Sequence, residues 1–121
     1  MLGGARILVV ENEPLIAMEM VQTIEEAGGI VAAAVRSQHE ALTLAEHADV
    51  HAALLDVRLP DGTAFDVASR LAARGIPFLF CTADSEDRAR FSDWPEVPVI
   101  IKPHGPEVII NALSRLLRIR G

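Results

Sequence analysis

Val50-His51-Ala52-Ala53-Leu54-Leu55-Asp56 decides the fold: an almost unbroken apolar run that stops at a carboxylate. Runs of this length with no polar alternation are the pattern of strands covered on both faces. Three other stretches end the same way. Ile7-Leu8-Val9-Val10 is followed by Glu11 and Asn12, Pro77-Phe78-Leu79-Phe80-Cys81 by Thr82, and Val99-Ile100-Ile101 by Lys102. In a parallel sheet all strand C-termini share one edge, so carboxylates, amide, hydroxyl and ammonium are expected in one crevice.

Between these runs the periodicity changes to that of helices. The first strand is predicted at 6–10, and a helix from about Pro14 to Ala27 follows, with Pro14 in its first turn, where a missing N–H costs nothing. Ile16, Met20, Ile24 and Ala27 form its apolar stripe, and Gly28-Gly29 ends it. A second strand is predicted at 30–35. Ser37 then caps a helix reaching about His47, with Glu40 placed for a capping box. After the third strand at 50–55, a loop with Pro60, Asp61 and Gly62 leads to a helix over about 64–74. Its stripe reads Phe65, Ala68, Leu71 and Ala72. The fourth and fifth strands are predicted at 77–81 and 97–101. Pro106 opens a last helix striped by Ile109, Leu113, Leu116 and Leu117, with Val108, Ile110 and Ile119 beside the stripe as candidate dimer contacts. Residues 84–96 are nearly all polar apart from Ala89, Phe91 and Trp94, and imply a short, weakly packed fourth helix. Strands alternating with helices predict an α/β fold: a doubly wound, five-stranded parallel sheet with right-handed crossovers.

Composition narrows the classes. A length of 121 residues fits one domain, 1–121, with nothing left over for an output domain. A net charge of −6 argues against nucleic acid and anionic lipid as partners. One cysteine cannot form an internal disulfide, which fits a reducing, cytoplasmic setting. No stretch approaches the roughly 18 apolar residues of a membrane span. The histidines at 39, 47, 51 and 104 lack metal-ligand spacing, and surface or capping roles suit them better.

The four motifs Val9-Val10-Glu11-Asn12-Glu13-Pro14, Leu54-Leu55-Asp56-Val57-Arg58-Leu59-Pro60-Asp61-Gly62, Cys81-Thr82-Ala83-Asp84 and Ile101-Lys102-Pro103, in this order, resemble those of response-regulator receiver domains. That family is the phospho-acceptor half of two-component signalling. The resemblance implies the CheY-like, flavodoxin-like strand order 2-1-3-4-5. It implies that Asp56 takes a phosphoryl group from a histidine kinase or histidine phosphotransfer protein. Lys102 would pair with that group and Thr82 would donate its hydroxyl to it. It further implies Mg²⁺ held by Asp56, Asn12 and the Arg58 carbonyl, with Glu11 acting through water, and a cis Lys102–Pro103 bond. Output is then expected through contacts with another protein, the chain being a monomer or weak homodimer.

Three residues depart from the family pattern. Asn12 stands where relatives usually carry aspartate, which should weaken Mg²⁺; Glu13 beside it is either a substitute or a helix-start charge. Val99 stands where many carry a Tyr or Phe that swings inward on activation, so coupling from Thr82 is altered. Arg58 sets a long cation beside the site. Trp94, between Asp93 and Pro95, either covers an edge of the fold or belongs to a contact surface. An enzyme is disfavoured. An aspartyl-phosphate hydrolase would carry a second aspartate where Arg58 is, and Glu11-Asn12-Glu13 would repel a flavin phosphate. A receiver that binds partners without being phosphorylated remains the alternative.

Overall fold

In the computed structural model, which describes residues 1–83 and 91–120, eleven elements follow in chain order. They are β1 (Arg6–Val10), α1 (Pro14–Glu26), β2 (Ile30–Val35), α2 (Gln38–His47), β3 (Ala52–Asp56), β4 (Arg58–Leu59), β5 (Gly62–Thr63), α3 (Phe65–Ala73), β6 (Phe78–Thr82), β7 (Val99–Ile101) and α4 (Pro106–Arg120). The main sheet runs β2-β1-β3-β6-β7, and every neighbouring pair is parallel. Counting only its five strands, this is the expected order 2-1-3-4-5.

Side chains of a strand point alternately to the two faces, so each strand feeds two cores. Leu8, Val10, Ala53, Leu55, Phe78 and Phe80 join Ala41 and Ala45 of α2 and Val67, Ala68 and Leu71 of α3. Ile7, Val9, Ala52, Leu54, Leu79 and Cys81 join Met20 and Ile24 of α1 and Ile109 and Leu113 of α4. All five residues of β3 are buried, which is why its sequence shows no polar alternation before Asp56.

Local signals explain the helix ends. Pro14 occupies the start of α1, and Gly28, at φ +87°, supplies the left-handed turn that stops it. Ser37 Oγ accepts from the Glu40 N–H and donates to the Glu40 carboxylate, at 3.2 and 2.9 Å. In the usual box that carboxylate meets the cap's backbone N–H instead. The other end of α2 is closed by Arg74, which donates to the Ala45 and Ala48 carbonyls at 2.8 Å each. An Arg70–Glu46 ion pair ties α3 to the same helix.

Several expectations change. The loop with Pro60, Asp61 and Gly62 is the tip of an antiparallel hairpin that pairs Arg58 with Thr63 and Leu59 with Gly62. The buried stripe of α3 is Val67, Ala68 and Leu71; Ala72 is exposed and Phe65 half-buried. Ile110, set aside for a dimer, is 9% exposed and packs into the α1/α4 core, whereas Val108 is 40% exposed; the side chain of Ile119 lies outside the described residues. The weak fourth helix falls mainly on 84–90, also outside them, and 91–93 form one 3₁₀ turn. Trp94 covers the fold: it stands edge-on to Phe78 and Phe80, with centroids 5.5 and 6.2 Å away. Phe65 and Phe91 extend this aromatic cluster around Phe80, at 5.5 and 5.1 Å.

Candidate functional site

The register of the sheet brings the polar strand ends together. Val10 lies beside Leu55, so Glu11 and Asn12 emerge next to Asp56; Asp56 pairs with Cys81, and Thr82 with Ile101. Lys102 follows at once, its backbone N–H donating to the Thr82 carbonyl at 2.8 Å. The Lys102–Pro103 peptide is cis.

Lys102 Nζ donates to Glu11 Oε1 at 2.5 Å and lies 3.4 Å from Asp56 Oδ1. The Asn12 N–H donates to Asp56 Oδ2 at 3.3 Å, and the Glu13 N–H to Glu11 Oε2 at 3.0 Å. Glu11 is fully buried, Asp56 and Thr82 nearly so. A carboxylate this deep must be paired, and one ammonium serves two of them here.

The imbalance appears in the proton affinities. Burial, the hydrogen bond with Glu11 and its charge push Asp56 up to about 6, with Lys102 and the Asn12 N–H opposing. Lys102 stays closer to Glu11 than to Asp56, so its charge relieves Asp56 only in part. Burial alone would lower Lys102; the Glu11 hydrogen bond and the charges of Asp56 and Glu11 outweigh it and hold the ammonium above its ordinary range. Cys81 lies directly behind the site and is pushed up to about 12 by burial, so its thiol stays protonated and inert.

Of the residues singled out, Glu11, Asp56 and Lys102 therefore touch, and Asn12 joins through its backbone. Thr82 ends the adjacent strand. The Arg58 side chain is exposed on β4, two residues past Asp56. The Glu13 side chain is exposed at the start of α1 and makes no side-chain cap bond. His104 is half-buried beyond Pro103, its Nδ1 3.3 Å from the Gly105 carbonyl. Val99 lies opposite Phe80, away from the polar edge.

The family model for the response regulator receiver domain matches residues 7–114. The chain belongs to the response-regulator receiver family. The receiver is 29% identical over 116 residues to the positive alginate biosynthesis regulatory protein of Pseudomonas aeruginosa, covering 93% of this chain and 47% of that one. It is 30% identical to the response regulator PhyR from Brucella abortus, with a TM-score of 0.82 over 97% of this chain and 49% of that one. A receiver protein from Sinorhizobium medicae superposes over the full length of both chains with a TM-score of 0.88; at 21% identity this shows the fold alone. The receiver spans about half the length of the curated relatives it matches. Among the described residues no helix is long and apolar enough to cross a membrane.

The donor set fits Mg²⁺. Two carboxylates, Glu11 and Asp56, share one ammonium among the described residues, and burial holds the proton affinity of Asp56 up. No third His, Cys, Asp or Glu joins them among the described residues. Mg²⁺ commonly binds through one or two carboxylates and keeps several waters.

Sequence reading missed Arg36, Gln38 and Asp61. The Arg36 guanidinium donates to the Asn12 carbonyl at 3.2 Å. Asp61 accepts from the Gln38 and His39 N–H groups at 2.7 and 3.0 Å, which lowers its proton affinity. Asp61 before Gly62 looked like ordinary turn chemistry. Nothing local shows that it caps a helix 22 residues earlier.

Proposed function

We propose that this receiver is a phosphorylation-controlled switch, with Asp56 accepting the phosphoryl group from a histidine kinase or phosphotransfer protein. The observation carrying the reading is the meeting of Asp56, Glu11 and Lys102, with Lys102 Nζ 2.5 Å from Glu11 and 3.4 Å from Asp56. In the step, an Asp56 carboxylate oxygen attacks phosphorus, the phosphorus–nitrogen bond of the donor breaks, and an acyl phosphate remains. Phosphoryl transfer gains mostly from positioning and neutralisation. Lys102 moves its charge from Glu11 toward the new phosphoryl oxygens, and Thr82 donates its hydroxyl to one of them. Mg²⁺, held by Asp56, the Asn12 amide oxygen and the Arg58 carbonyl with Glu11 acting through water, would neutralise further charge when bound. The chain is no enzyme on other molecules in this reading: it catalyses only its own phosphorylation and dephosphorylation, and signals by protein contacts.

Incubation with acetyl phosphate and Mg²⁺ should raise the intact mass by one phosphoryl group, and Asp56→Asn should abolish the gain. A native chain that gains no mass overturns the proposal. That outcome supports the second reading, a partner-binding receiver without phosphorylation, which the neutral Asn12 and the missing ring at Val99 favour. Asn12→Asp adds a third carboxylate and should tighten Mg²⁺ by about tenfold, the scale of one ~1.4 kcal/mol interaction. An unchanged calorimetric titration would remove Asn12 from the ligand set.

A further inference from the structure

The turn joining β2 to α2 touches both loops that frame the site. On one side, Arg36 Nε donates to the Asn12 carbonyl, and the Asn12 N–H in turn donates to Asp56. On the other, Gln38 Nε2 donates to the Thr63 carbonyl at 2.9 Å, and Thr63 pairs with Arg58 across the β4–β5 hairpin. Asp61, in the same hairpin, bonds the first N–H groups of α2. The hairpin's base is closed by the Ala64 N–H on the Val57 carbonyl at 3.0 Å. Gly62 is held tightly too: its φ is +151°, and an added Cβ would come within 2.9 Å of the Gln38 amide.

We propose that Arg36 and Gln38 are positioning residues for Asp56 chemistry, clamping the Asn12 loop and the Arg58 hairpin at a fixed separation. The inference rests on the phosphorylation reading, since it concerns the residues assigned there to the metal and the phosphoryl group. Neither side chain reaches Asp56: Arg36 acts through the Asn12 carbonyl, and Gln38 through the Thr63 carbonyl and the pairing of Thr63 with Arg58. Groups that orient metal-site residues from behind typically change affinity by about 10–100-fold when removed.

The test uses Gln38→Met, which keeps length and packing but removes the donor, and Arg36→Ala. Arg74→Ala serves as control, because it uncaps the far end of α2 without touching the site. Mg²⁺ alone is titrated by calorimetry, acetyl-phosphate incorporation is timed, and the melting temperature of each full chain is recorded. Gln38→Met and Arg36→Ala should weaken Mg²⁺ and slow incorporation by about tenfold, at the lower end of that range. Arg74→Ala should lower the melting temperature alone. Unchanged Mg²⁺ affinity and rate in both clamp variants would overturn the proposal, as would an equal loss in Arg74→Ala. A native chain that gains no mass would overturn the phosphorylation reading itself, an outcome separate from failure of the clamp.

Discussion

Asp56→Asn should make the metal-free protein more stable at pH 7.5, by about 2–3 kcal/mol, and leave it nearly unchanged at pH 3.5. The sign follows from linkage. The unfolded chain releases this proton near the ordinary value of 3.8, while the folded chain holds it to about 6. Between those values the unfolded state is the more deprotonated, so rising pH favours unfolding. The penalty is absent below 3.8, grows up to about 6 and is constant above. One pKa unit corresponds to about 1.4 kcal/mol, and solvent screening of a carboxyl partly open to water keeps the effect below the full conversion. Asparagine keeps the shape and carries no charge, so it removes the penalty. Against a typical total of about 5–15 kcal/mol this is a large gain for one atom exchanged. Urea unfolding of both proteins with chelator at the two pH values measures it. An equal or lower midpoint for Asp56→Asn at pH 7.5 would sink the electrostatic account.

The second large effect has the opposite sign. Lys102→Met should cost about 3–5 kcal/mol, because the fully buried Glu11 loses the only ammonium bonded to it among the described residues. Adding Glu11→Gln should restore most of the loss, since the pair rather than the volume is at stake. The Lys102 ammonium is held above its ordinary 10.5, so its contribution persists through neutral pH and fades only in strong alkali. Denaturant midpoints of the single and double variants decide the matter. If the double variant is no more stable than Lys102→Met, lost packing rather than an orphaned charge explains the cost.

These two effects pull on one cluster in opposite directions. Lys102 stabilises the buried Glu11, while Asp56 remains under-compensated and would be relieved by added positive charge. The fold thus carries a local cost at the position where chemistry is proposed, a common arrangement in functional sites.

The architecture was legible because strands buried on both faces must be apolar throughout. Leu54 and Leu55 serve opposite cores, so neither position tolerates a polar residue, and Asp56 stands out as the first that does. Parallel topology then brought Glu11, Asp56, Thr82 and Lys102 to one edge by geometry alone. Long-range capping was not legible. Asp61 and Arg74 satisfy the two ends of α2 from across the chain, and their sequence neighbourhoods read as an ordinary turn and an ordinary helix end. Trp94 was ambiguous for a related reason. Its neighbours are polar, and only the approach of Phe78 and Phe80 from another segment makes it a half-buried cover of the core. The α3 stripe shifted because Phe65 turns toward the aromatic cluster, leaving Val67 to face α2 and the sheet.

The lone thiol of Cys81 offers a stopwatch for the molecule. It is sealed in β6 against the core beneath α1 and α4, so an alkylating reagent meets it only during excursions that lift those helices from the sheet. The modification rate under native conditions would therefore time the breathing of that core one residue short of Thr82, with no label or engineered probe.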